Sequence, residues 1–218
     1  MTTLTSDGQI HLLDLGDGEN RFSPGWVAEV GAALDEVAAA EGPRALVTVA
    51  TGKYWSNGLD LDWVGEHPDQ MQTYVSTVHA LLARMLTLPV PSVAVQQGHT
   101  FAAGAMFALA HDLRFMRVDR GFFCLPEVHL GIPFTPGMAA LIQARLTKAA
   151  AHESMTTGRR YGGSDALAAG IVDVALPESE LLERATAKAA ELAPTAGPTL
   201  AAIRSEMYAT AIARLTER

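Results

Sequence analysis

The sequence predicts an α/β domain. Two observations carry this: short aliphatic and β-branched runs that end in glycine or polar turns, and alanine- and leucine-rich stretches with helical spacing between them. Strands alternating with helices imply crossover connections. With 218 residues, 49% hydrophobic and 18% charged, the chain can fill a sizeable core as one large domain, or one domain with a small appendage.

In chain order, strands are expected over residues 10–13, 45–50, 90–95, 113–118 and 171–174. Helices are expected over 25–40, on Val27, Val30, Leu34 and Val37, and over 71–86, on Val75, Val78, Leu82 and Met85. From Thr147 the pattern is mostly helical, with Pro177-Glu178 starting one helix and Pro198 near the start of another. A core over residues 1–146 carrying the site is therefore expected. A mainly helical region over 147–218 completes it, across an oligomer interface.

Sixteen Lys and Arg against 24 Asp and Glu leave a net charge of −8, which argues against a broad nucleic-acid or anionic-membrane face. Cys124 is the only cysteine, so neither an intramolecular disulfide nor a cysteine zinc cage can form. The seven histidines show no ligand spacing, and no metal site is expected. Apolar runs fall short of a membrane span, and the first residues lack the pattern of a signal peptide. The expectation is a soluble cytoplasmic protein.

Three segments could carry chemistry. In the first, a strand runs through Thr51-Gly52 into Ser56-Asn57-Gly58-Leu59-Asp60-Leu61, where Gly58 permits a positive φ or a close backbone approach. Loops after strands in α/β sheets bind ligands, although an Asn-Gly pair also serves ordinary turns. In the second, a strand ends at Gly98, and Ala102-Ala103-Gly104-Ala105 opens a helix running through Phe107 and Leu109. Free N–H groups at such a start suit an anionic oxygen; tight helix–sheet packing would select the same small residues. In the third, Glu127 follows Pro126 among Phe, Leu, Val and Ile. Burial without a cation would raise its pKa toward neutrality and fit it for proton transfer. The alternative is a glutamate whose stem packs while its head meets water. His111-Asp112 sits at a helix-to-strand junction, where capping is expected, and Arg159-Arg160 either meets water or a phosphate.

Taken in order, these blocks resemble the crotonase (enoyl-CoA hydratase/isomerase) superfamily. The Ser56-to-Leu61 turn looks like its first oxyanion loop and Gly98 through Gly104 like its second. Leu125-Pro126-Glu127-Val128-His129-Leu130-Gly131-Ile132 looks like its catalytic-glutamate block, and Gly163 through Asp173 like the segment that follows the core. The resemblance implies a spiral of ββα units with a helical C-terminal region, a homotrimer or hexamer, and an acyl-CoA thioester as substrate, with no cofactor besides. It also implies that the Asn57 and Ala103 N–H groups hold the thioester oxygen and that Glu127 is the catalytic base. Ser56, Gly58, Leu59, Asp60, Ala102, Gly104, Met106 and Pro126 would surround the substrate.

Hydratases of the superfamily use a second glutamate on the helix after the second oxyanion loop, where this chain has Met106. Methionine neither orients water nor moves a proton, whereas a double-bond shift needs one carboxylate and a dry wall. With Ser-x-Gly-Leu-Asp-Leu, this pattern looks like a Δ3,Δ2-enoyl-CoA isomerase. Three departures stand beside it: Ala103 replaces a common glycine, Val90 a common lysine, and the chain is short. The alternatives are another crotonase-type enzyme, a hydratase or thioester hydrolase, or a non-catalytic acyl-CoA binding subunit.

Overall fold

The computed structural model describes residues 1–217. A hairpin of the polar edge strand β1 (Thr3–Asp7) and β2 (Ile10–Asp14) begins the chain, and α1 (Pro24–Ala39) follows. Ser23 caps α1 by accepting from the Trp26 N–H, and Pro24 occupies the first turn, where no donor is missed. Three successive ββα units then wind through the molecule. They are β3 (Ala45–Val49), β4 (Tyr54–Ser56) and α2 (Leu61–Glu66) with α3 (Met71–Leu86); β5 (Ser92–Gln96), β6 (His99–Phe101) and α4 (Ala103–Ala110); and β7 (Leu113–Arg117), β8 (Phe123–Cys124) and α5 (Glu127–Leu130).

The first strand of each unit enters a six-stranded sheet of order β1-β2-β3-β5-β7-β9, the second a three-stranded sheet of order β4-β6-β8. Apart from the antiparallel β1–β2 pair, every ladder is parallel. This is the expected ββα spiral. The small sheet escapes the sequence pattern because its strands span only two or three residues. Such runs are too short for periodicity to show.

The remaining elements are α6 (Pro136–Arg145), α7 (Lys148–Thr157), α8 (Gly163–Ala168), β9 (Val174–Leu176), α9 (Glu178–Leu192), α10 (Pro198–Met207) and α11 (Ala209–Thr216). The strand expected over 171–174 begins only at Val174, because Ile171 and Val172 are buried beneath α8 instead. One face of the large sheet is covered by α9, whose Leu181, Ala185 and Ala189 meet Val47, Val93, Val95 and Phe115.

The other face holds the main core, with α4 at its centre. All eight residues of α4 are buried, as a helix apolar on every side must be. Its C-terminal carbonyls are met by cations from α6 and β7. Arg145 donates to the Leu109 and His111 oxygens at 2.7 Å, and Arg114 to the His111 oxygen at 3.2 Å. Arg204 pairs with Asp112 and donates to the Val90 oxygen at 3.0 Å. His111 bonds Phe107 O and Thr48 Oγ1, both at 2.8 Å, and burial drives its pKa down to about 3, so it stays neutral. Behind the site, α6 lies directly on α11. A Cβ at Gly137 would stand 2.8 Å from the Leu215 Cα, so only glycine permits this approach.

Candidate active site

One cavity of about 400 Å³ brings the three candidate segments together. Asn57 and Leu59 reach it from the first loop, Ala102, Ala103 and Met106 from the start of α4, and Pro126 and Glu127 from the start of α5. Leu130, Ile132, Phe134 and Met138 complete an apolar wall.

Glu127 is 7% exposed, and its Oε2 has no hydrogen-bond partner among the described residues. Burial raises its pKa from the ordinary 4.5 to about 7, opposed only by its own backbone N–H. No cation among the described residues offsets this. Arg21, also on the cavity wall, is engaged by Glu19 and Asp62. Among the cavity-lining residues described, Glu127 is the only buried carboxylate, and it can both take and return a proton near neutral pH.

The two loops converge on their backbone donors. Gly58 has φ +83°, and a Cβ there would lie 2.9 Å from the Ala103 nitrogen and from the Phe101 oxygen. The turn therefore needs glycine both for its conformation and for its contact with the start of α4. Gly104 is held as tightly, since a Cβ on it would lie 2.6 Å from Ser56 Oγ. Ala103 is the first residue of α4, where its N–H has no intrahelical acceptor. Ala102, at φ 50° and ψ −125°, turns the chain into that helix in a conformation alanine rarely adopts.

The expected pair of donors requires one correction. The Asn57 N–H donates to the Glu19 carbonyl at 2.9 Å, and its side-chain amide to Glu19 Oε2 at 3.2 Å. A donor already committed to a protein carbonyl is a weaker donor to a substrate oxygen than one with no partner. The Gly58 N–H is taken by Ser56 Oγ at 3.2 Å, and the Asp60 N–H by the Tyr74 hydroxyl at 3.0 Å. Between them the Leu59 N–H donates to nothing among the described residues, and neither does that of Ala103. The unoccupied pair is thus Leu59 and Ala103.

Four other residues expected around the substrate lie behind the wall. Ser56 is fully buried and donates to the Asn20 oxygen at 2.7 Å. Asp60 caps α2 by accepting from the Trp63 N–H, and Gly58 and Gly104 supply close packing. Sequence reasoning missed Arg21, Phe134 and Met138, whose only signal is their distant arrival at the cavity. Of the undecided arginines, Arg159 pairs with Glu153 and Asp165, whereas Arg160 lines the cavity over the Phe101 ring. Asp112 bonds the Ser92 N–H at 2.8 Å, so it joins two strands rather than capping its own helix.

The enoyl-CoA hydratase/isomerase family profile matches residues 8–218. The peroxisomal enoyl-CoA delta isomerase 2 of Arabidopsis thaliana is 37% identical over 190 residues, 83% of this chain and 79% of that protein. A cyclohexa-1,5-dienecarbonyl-CoA hydratase of Thauera aromatica is 31% identical over 179 residues, 81% of this chain and 67% of that protein. A probable enoyl-CoA hydratase of Mycobacterium tuberculosis superposes with a TM-score of 0.89 at 25% identity, over 98% of this chain and 91% of its own. A profile match over nearly the whole length, on a spiral whose turns bring an acid and two free amides to one cavity, makes this chain a member of the enoyl-CoA hydratase/isomerase family, an enzyme of the crotonase superfamily.

Proposed function

We propose that the protein is a Δ3,Δ2-enoyl-CoA isomerase. The thioester oxygen of a 3-enoyl-CoA accepts hydrogen bonds from the Leu59 and Ala103 N–H groups. Glu127 removes a proton from C2, and the electron pair passes into a dienolate whose charge rests on that oxygen. The same carboxyl returns the proton at C4, and the double bond comes to lie between C2 and C3. Donors fixed before the charge develops lower the barrier most, because nothing reorganises at the moment of reaction.

The observation that carries this reading is the single buried carboxylate with an unpartnered oxygen, in a cavity where Met106 is 1% exposed. Addition of water benefits from a second acid to orient it, and Met106 supplies none. The delta isomerases among the relatives support the same choice. The test is turnover of 3-enoyl-CoA and of 2-enoyl-CoA by the wild-type protein and by Glu127→Gln. Isomerisation that falls by about 10²–10⁴ in the variant is expected. A fully active variant, or a wild type that hydrates 2-enoyl-CoA and leaves 3-enoyl-CoA untouched, refutes the assignment.

A further inference from the structure

We infer that the Tyr74 hydroxyl is a positioning residue for the reaction, locking the Leu59 N–H in place from behind the site. The inference rests on the reading of Leu59 as an oxyanion donor and assigns the device that aims it.

A closed ring of hydrogen bonds surrounds Leu59. The Phe22 N–H donates to the Gly58 carbonyl at 2.8 Å. The Tyr74 hydroxyl donates to the Phe22 carbonyl at 2.9 Å and accepts from the Asp60 N–H at 3.0 Å. Both neighbours of Leu59 are thereby tied to one residue, Phe22, on one side directly and on the other through Tyr74. Leu59 itself is left with its amide free. The Gly58 carbonyl shares a peptide plane with the Leu59 N–H, and the Asp60 N–H belongs to the next plane. The two anchors thus hold the peptides on both sides of the Leu59 Cα, whereas an anchor at Gly58 alone would hold one. Within the loop the Leu61 N–H donates to the Leu59 carbonyl at 3.1 Å, and Tyr74 adds the tie at the Asp60 N–H that joins the loop to α3.

Tyr74 is suited to hold such a load. It is 4% exposed, and α3 carries it on the same helix as Val78, Leu82 and Met85, which are buried in the main core. Its ring packs against Trp63 at 5.2 Å, and the Trp63 N–H bonds Asp60 Oδ1 at 3.3 Å. Burial also pushes the phenol pKa up to about 12, so the hydroxyl remains a donor throughout the neutral range. Tyr74 does not line the catalytic cavity, which separates positioning from direct contact with substrate.

The experiment compares wild type with Tyr74→Phe, which keeps the ring and deletes both hydrogen bonds. Three quantities are read: kcat and KM for 3-enoyl-CoA, and the carbonyl stretching frequency of a bound 2-enoyl-CoA labelled with ¹³C at the thioester. In the variant kcat is expected to fall about 10-fold, less than the loss of a whole donor, with KM changed less than about 2-fold. The downward carbonyl shift on binding is expected to shrink. An unchanged kcat with an unchanged carbonyl shift overturns the inference even if the variant melts earlier, since a purely structural tyrosine lowers stability alone. A wild type with no carbonyl shift at all refutes the donor reading, and the inference falls with it. Should Tyr74→Phe fail to fold, amide exchange of the unaltered protein decides. Protection at Asp60 supports the inference, and exchange there at the rate of an open peptide overturns it.

Discussion

Replacing Glu127 by glutamine separates the needs of folding from those of catalysis. The carboxyl is 7% exposed, and burial lifts its pKa from 4.5 to about 7. A raised folded pKa means that the native protein binds more protons than the unfolded chain between those two values. Stability therefore falls as pH rises through that window. Well above pH 7 the ionised form costs about 3 kcal/mol. Glutamine keeps the size of the side chain and carries no charge, so Glu127→Gln is expected to match wild type near pH 4.5. At pH 8.5 it is expected to exceed wild type by up to about 3 kcal/mol. For a chain of this length that raises the melting temperature by roughly 6–10 °C. Urea titrations at the two pH values measure the difference, and the pH profile of wild-type kcat/KM is expected to rise through an apparent pKa near 7. A variant with no stability gain at pH 8.5 relative to pH 4.5 would show that the carboxylate is well solvated, and the argument for a poised base would fail.

Three further substitutions probe the surroundings. Ala102→Gly relieves a backbone at φ 50° and ψ −125° and is expected to stabilise by about 1 kcal/mol in urea, after subtracting the added freedom of the unfolded glycine. Gly58→Ala places a methyl 2.9 Å from the Ala103 nitrogen at a φ of +83°. It is expected to lower kcat for 3-enoyl-CoA by about 10² through displacement of a donor. Arg204→Met leaves Asp112 without its ion-pair partner and the Leu88 and Val90 carbonyls, between α3 and β5, without this donor. A loss of about 3 kcal/mol in urea is expected.

Much of the fold is legible because long helices repeat their apolar positions often enough to stand out. Residues 71–86 read as a helix, and α3 has those bounds; the expected 25–40 lies one residue from α1. The short strands β4, β6 and β8 exist only through parallel pairing between distant segments, which no local pattern encodes. At the site, local chemistry marks Glu127 as an acid among apolar neighbours and Gly58 as a required turn. It does not reveal which amide is free. Asn57 is excluded by the Glu19 carbonyl, which arrives from 38 positions earlier in the chain. The free donor is found only by subtracting every partner the tertiary structure supplies. Tyr74 is hidden for the same reason, since its hydroxyl acts on Phe22 and Asp60 from another element.

The seating of α6 on α11 has a consequence for how such a protein adapts. Gly137 touches Leu215, and the next residue, Met138, faces the cavity. A side chain at position 137 would clash with the α11 backbone, and relief of that clash is expected to shift α6 and Met138 with it. The volume of the cavity is thus expected to respond to replacements at the rear of the molecule, at positions that do not line it.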